Sequence, residues 1–258
     1  MKAIWTGAIG FGLVNIPVKI YSAVQDSSLD LDMLDKKDHS RIRFQRVNEH
    51  TGKQVAWENI VKGYDYEGKY IVLTDEDFEK ASPEKSKIIE IKEFVNEEEI
   101  ESIFFEMPYY LEPQKAGERA YMLLRESLKK SGKVGLGSFV LRSKENLCVL
   151  KPSEDVIILN KIRFAEEIKD PEELNIPKNS VVKKEELKMA LALINQLADK
   201  FDIEKYKDTY SGTLMKLIKA KAKGKQIQTP TLRVVHNKTK DIMSQLKASL
   251  ETKKKRAS

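Results

Sequence analysis

Between residues 134 and 164 the chain reads VGLGSFVLRSKENLCVLKPSEDVIILNKIRF, short apolar runs broken by the polar stretches SKEN and PSED. Runs of this length, rich in Val, Ile and Phe and bounded by turn formers, suit buried strands. Two strands around SKEN and one or two more from VIILNKIRF therefore make the middle of the chain mainly sheet. Cys148 sits among them between Leu147 and Val149, far from the histidines at 39, 50 and 236. A small apolar side chain in that setting is an inert buried thiol rather than a nucleophile.

Other segments continue the pattern. In LVNIPVKIYS (13–22), Val14, Ile16, Val18 and Ile20 alternate with Asn15 and Lys19, and Pro17 predicts an edge or bulge. SRIRFQRV (40–47) places Arg41, Arg43 and Gln45 on one strand face and Ile42 and Phe44 on the other. HTGK (50–53) reads as a turn, YEGKYIVL (66–73) as a turn feeding a strand, and IIEIKEFV (88–95) as a strand. A helix is predicted over 112–132, with Ala120, Leu123, Leu124 and Leu128 on one stripe and Gly132 at its end. From Ser180 onward the period changes. Leu187, Ala190, Leu191, Ile194, Leu197 and Phe201 fit one helix, with Glu185 and Glu186 at its start. A second spans 209–223, with Tyr210, Leu214, Leu217 and Ile218 inward and Gly224 as its stop, and a last short helix lies near 240–250. The fold class is mixed and mainly β, with helices toward the C-terminus.

Charge narrows the function. The net charge of +6 conceals an asymmetry: residues 209–258 hold 13 basic against 2 acidic side chains, or +11, while the remaining residues hold 33 against 38, or −5. Between 74 and 112 there are 13 acidic and 4 basic side chains, or −9, a stretch expected to face away from any phosphate backbone. No run reaches the 18 or more apolar residues of a membrane helix, and one cysteine builds no disulfide framework, so a cytoplasmic location is expected. No metal is expected: three histidines and one cysteine match no zinc spacing, and the acidic runs Asp75–Asp77 and Asp30/Asp32 read as solvated loops. GAIGFG (7–12) and HTGK lack the spacing of a nucleotide-binding loop, so no cofactor and no catalytic residue is assigned.

The basic residues are the remaining signal. Lys19, Arg41, Arg43, Arg46, Lys53, Arg142, Lys144, Lys161 and Arg163 lie in or beside predicted strands. Lys216, Lys219, Lys221, Lys223 and Lys225, then Lys253, Lys254, Lys255 and Arg256, make a basic end. Cations spread in this way suit successive phosphates without base readout. The lysines of 216–225 cannot all touch one flat ligand, because Lys219 and Lys223 share a helix face that Lys221 does not. Two accounts stand side by side here: a solvated helix end, or a surface that a polyanion surrounds.

Several separated segments carry a resemblance. IWTGAIGFGLVNIPVKIYSA (4–23), IVKGYDYEGKYIVLTDEDF (60–78), YYLEP (109–113), KAGERAYMLLRESL (115–128) and FDIEKYKDTYSGTLMKLIKAKAKGK (201–225) resemble the bacterial Ku family, in order and over roughly residues 1–225. The resemblance implies a β-barrel core with extended bridge arms and C-terminal helices, in a ring-shaped homodimer around duplex DNA. It implies sequence-independent binding of double-stranded DNA ends in non-homologous end joining, recruitment of the ATP-dependent ligase D, no enzymatic activity of its own and a nucleoid-associated location. Residues 1–225 would form the core, with the dimer-forming part at about 133–225, which would account for the apolar wealth of 134–164. Residues 226–258 would be a basic tail in which Ile242, Leu246 and Leu250 meet the protein partner and the lysines meet DNA. Competing readings are an architectural DNA-binding protein that needs no free ends, a scaffold whose lysines only solubilise it, and a nuclease.

Overall fold

Ile16, Val18 and Ile20 are fully buried while Pro17, Lys19 and Tyr21 between them are not, so the period-two alternation of the second strand separates inside from outside. In the computed structural model this strand belongs to a closed seven-stranded barrel. The structure describes residues 1–81, 87–142, 144–177, 182–225, 243–246 and 249. Its strands are β1 (Trp5–Phe11), β2 (Val14–Ser22), β5 (Ile88–Asn96), β6 (Phe105–Pro113), β7 (Lys133–Leu141), β8 (Lys144–Ser153) and β9 (Val156–Ile162). The order around the barrel is β1-β2-β6-β9-β8-β7-β5. All neighbours are antiparallel except β1 and β5, whose short parallel seam Ala8–Gly10 with Ile88–Glu90 closes the ring.

The registers aim one apolar set at the interior. Ile9 faces Ile16, Ile20 faces Leu111, Leu111 faces Ile157, and Leu159 faces Leu150 around successive strands. With Ile89, Phe139 and Cys148 these side chains form one buried cluster. A second cluster on the outer surface joins Val134, Val149 and Ile162 to Phe104 and Phe105. The apolar residues of 134–164 are thus consumed largely within one chain. Burial in these two clusters accounts for many of them within one chain. VIILNKIRF supplies one strand, β9, and β8 begins at Lys144 inside the expected turn. Pro17 lies where the β2–β6 ladder stops, since that ladder begins at Val18, so its missing N–H leaves no gap.

A helix, α2 (Glu118–Ser131), packs against the barrel and ends at Gly132, whose φ of 65° is the left-handed value a helix stop needs. It buries Tyr121, Leu124 and Leu128. Leu123, expected on the inner stripe, is exposed, because the buried face is centred one residue off the expected one. Tyr121 ties helix to barrel: its hydroxyl donates to the Leu111 carbonyl (2.7 Å) and accepts from the Ile157 N–H (2.6 Å). Burial pushes this phenol up, against the Ile157 N–H and the Arg125 charge, so it stays a donor at neutral pH. Replacing Tyr121 by Phe strands both backbone groups and is expected to lower unfolding stability by about 1–3 kcal/mol. Urea titration of the two proteins checks this, and coincident curves would show that the hydroxyl contributes nothing.

Between β2 and β5 the chain leaves the barrel. Residues 30–81 carry a two-stranded hairpin, β3 (Lys62–Tyr66) and β4 (Lys69–Leu73), and a short helix α1 (Asp75–Ala81). Glu67 and Gly68, with φ of 52° and 81°, make the tight turn. SRIRFQRV is not a strand. Among the described residues its only pairings are the single bridges Leu34–Arg41 and Val47–Gln54, which close two loops. The second loop is the expected HTGK turn, where Asn48 Oδ1 accepts from the His50 and Thr51 N–H groups. Phe44 is 80% exposed and Ile42 45%, so neither meets a sheet face that would have drawn the segment into a strand.

The barrel and arm form one unit, Met1–Asp26 with Asp30–Asp170; the other is Ser27–Leu29 with Pro171–Ser258. In the second unit α3 (Lys184–Leu197) and α4 (Thr209–Ala222) are the expected helices. Ser180 lies outside the described residues, and Phe201 lies beyond the end of α3. Asp208 caps α4 by accepting from the Ser211 N–H (3.0 Å), and Gly224, with φ of 69°, follows its end. Residues 243–246 and 249, the described part of 240–250, are helical.

Candidate nucleic-acid interface

Lys19 alternates with buried Val18 and Ile20 and stands opposite Thr6 on β1 and Glu112 on β6. The barrel rim holds a tighter group. Glu106 on β6 is 3.2 Å from Lys161 and 4.0 Å from Arg163, so one carboxylate serves two candidate phosphate contacts. Arg142, with φ of 53°, follows β7 and Lys144 starts β8, which places two cations near one barrel turn. Neither forms an ion pair among the described residues.

The acidic stretch 74–112 is not set apart from these cations. It includes β6, which runs between β2 and β9 and brings Glu112 beside Lys19 and Glu106 beside Lys161 and Arg163. Apolar alternation sets strand order, and charge follows it passively. Among the barrel candidates, Arg142 and Lys144 therefore project the least compensated charge.

The arm holds four candidates. Arg41 pairs with Asp32 at 2.6 Å, an exposed contact worth little in water. Arg46 lies over the Trp57 ring, 4.5 Å from its centroid, a stacking that fixes the guanidinium plane and that sequence reading missed. Arg43 and Lys53 are exposed and form no ion pair among the described residues. Lys62 lies over Phe78 at 4.6 Å in the same arm.

On α4 the helical period puts Lys216, Lys219 and Lys223 on one side, within about 60° at ~100° per residue. Lys221 emerges instead amid the stripe of Tyr210, Leu214, Leu217 and Ile218, and Lys225 lies past the helix. The last turn is closed by Gly224 N–H to Lys221 O and Lys225 N–H to Ala220 O, both 2.9 Å. Lysines there also sit favourably at the negative end of the helix dipole. In the tail Leu246 is half-buried, whereas Ile242, Leu250, Lys253, Lys254, Lys255 and Arg256 lie outside the described residues.

Among the described residues no three His, Cys, Asp or Glu side chains are grouped to hold a metal ion. Cys148 is fully buried, and burial pushes its thiol far above the ordinary range, which removes the thiolate a nucleophile needs. No described helix is long and apolar enough to cross a membrane.

Residues 10–189 match the family model described as the Ku70/Ku80 beta-barrel domain. The chain is 38% identical over 262 residues to the non-homologous end joining protein Ku of Coxiella burnetii, covering 98% of this chain and 96% of that protein. It is also 38% identical to the proteins of that name from Bacillus subtilis, over 97% of this chain and 82% of the other, and from Archaeoglobus fulgidus, over 98% and 100%.

Proposed function

Since this chain belongs to the Ku family and is a non-catalytic member of it, we propose that it binds double-stranded DNA ends without sequence preference in non-homologous end joining. The observation that carries the reading is the match along nearly the whole chain to proteins named for that process. Contacts run through sugar and phosphate, from Arg43, Lys53, Arg142, Lys144 and the α4 lysines, with Lys19, Arg41, Arg46, Lys161 and Arg163 as weaker or preoriented contributors. Such binding falls steeply with salt because counterions are released.

The working form is a ring-shaped homodimer. What supports it is apolar surface left open in one chain: Trp57, Tyr64 and Tyr70 on the arm, and Leu191, Ile194 and Tyr210 on α3 and α4, are each about half or more exposed. A two-stranded hairpin such as β3–β4 is marginal alone and gains stability by being covered. Within the expected dimer region of 133–225, α3 and α4 offer such surface and the barrel strands offer less. The tail, through Ile242, Leu246 and Leu250, recruits the ATP-dependent ligase D, while Lys253–Arg256 add DNA affinity. The protein works in the cytoplasm on the nucleoid.

A gel-shift titration over a salt series, with one duplex in linear form and the same duplex closed into a covalent circle, tests the reading. Retention of the linear form alone, weakening steeply with salt, is expected. Equal retention of both forms would replace end binding with the grip of an architectural DNA-binding protein.

A further inference from the structure

Trp57 on the arm is 72% exposed although Arg46 already lies over its ring, with the guanidinium carbon 4.5 Å from the centroid. One face of the indole is therefore taken and the other is open. Backbone hydrogen bonds hold both partners. The Arg46 carbonyl accepts from the Val55 N–H (2.9 Å), in a small hairpin continued by the Val47–Gln54 bridge and by the Asn48 N–H on the Lys53 carbonyl (2.9 Å). Trp57 opens a single 3-10 turn, Trp57–Asn59, which the Ile60 N–H closes on the Trp57 carbonyl (3.1 Å).

The stack limits what can cover the open face. It orders the guanidinium without using its edge, so the N–H donors stay available, and Arg46 forms no ion pair among the described residues. A dry protein surface laid on the ring would bury that charge unpaired, at a cost that one aromatic contact does not offset. Tyr64 and Tyr70, also exposed on the arm, have no cation over their rings among the described residues, so they suit a covering second copy better. Charge alone does not select the occupant either, because Arg46 and Lys53 stand against Glu49 and Glu58 along residues 46–58. What fits is a flat ring joined to an anion that reaches the guanidinium edge. An unpaired nucleotide has both, and its base stacks on an aromatic ring whatever its sequence. Bases inside a duplex do not fit, since their neighbours cover both faces.

We infer that Trp57 and Arg46 form a site for an unpaired nucleotide in the single-stranded overhang of a DNA end. The base lies on the open face of Trp57, and an adjoining phosphate of the strand accepts from the edge of Arg46. The inference rests on the proposed binding of DNA ends and extends it from the duplex to its unpaired tail.

The probes are two linear duplexes that differ only in a single-stranded tail of about eight nucleotides, thymidines in one and abasic residues in the other. Both tails carry the same phosphates, and only one carries bases. Titrated against the full-length protein, the thymidine tail is expected to bind about tenfold more tightly and to quench Trp57 emission. Trp5, the other tryptophan of the chain, donates its indole N–H to the Val140 carbonyl (3.1 Å) and packs edge-on against Phe139, and the emission of Trp57→Phe gives its share. Trp57→Leu is expected to abolish the preference and Trp57→Phe, which keeps a ring, to restore part of it. Because the preference is a ratio within one protein, a general loss of arm packing or of Arg46 orientation cancels from it. The inference is overturned if the native protein binds both tails equally, or if Trp57→Leu keeps the preference. It is overturned too if Trp57 emission shifts when the protein alone is diluted, which would place the ring in an interface between copies. Equal binding of both tails leaves the end-binding reading standing, whereas retention of neither duplex strikes that reading and this inference together.

Discussion

Gly137→Ala is expected to destabilise the barrel by about 3 kcal/mol, at the upper end of what overpacking does to a core. Gly137 lies on β7 opposite Ile91, next to the register shift between Ile91 and Glu93 on β5. A Cβ added there would sit 2.1 Å from the Glu90 carbonyl oxygen and 3.0 Å from the Ile91 Cα, both backbone atoms that no rotamer change can move. A loss of this size is a large share of the roughly 5–15 kcal/mol that holds a domain together. Denaturant midpoints measure it. Gly212→Ala is the matched control: it lies in α4 with nothing within 4 Å of the added Cβ, so it should gain about 0.5–1 kcal/mol from helix propensity. A Gly137→Ala midpoint equal to the native one would mean that β5 and β7 do not approach so closely.

The second large effect lies on α4. Replacing Lys216, Lys219 and Lys223 together by Gln removes the three lysines of one helix face and leaves Lys221 and Lys225. If each meets a phosphate, the slope of log affinity against log salt becomes shallower by about 2.7, at ~0.9 per contact. Over the fourfold salt range from about 50 to 200 mM, the native protein then loses affinity about 40-fold more than the variant does. The equivalent change at Lys161, which already faces Glu106, should move the slope by less than one contact. A triple variant with the native slope would remove α4 from the interface and return its lysines to a solvated helix end.

These contrasts mark what could be read from residues alone. The strands β2, β5 and β9 were legible because apolar side chains are buried at alternate positions along them, β7 and β8 because their short apolar runs are bounded by turn formers, and α2 and α4 because glycines stop both. The strand expected at 40–47 failed for a reason local pattern cannot reveal: alternation predicts a strand only where a sheet face waits for it, and Ile42 and Phe44 meet none. Barrel closure was equally hidden, because it rests on a three-residue parallel seam between strands far apart in sequence. For the interface, sequence named the cations but not their neighbours. That Glu106 serves both Lys161 and Arg163, and that Arg46 lies on Trp57, are facts of strand order and loop path.

The parallel seam also sets a timetable. β1 finds one neighbour in β2 at once, but its other neighbour, β5, begins at Ile88, and the ring is incomplete until β9 ends at Ile162. During synthesis at roughly 5–20 residues per second, the first hairpin therefore waits many seconds with unpaired edges. The apolar arm residues emerge within that interval, before any barrel exists. Such separation of partners slows folding and exposes the nascent chain to association with its neighbours. For the homodimer proposed above, chains emerging side by side on one messenger would meet first through the arm, before either barrel has closed.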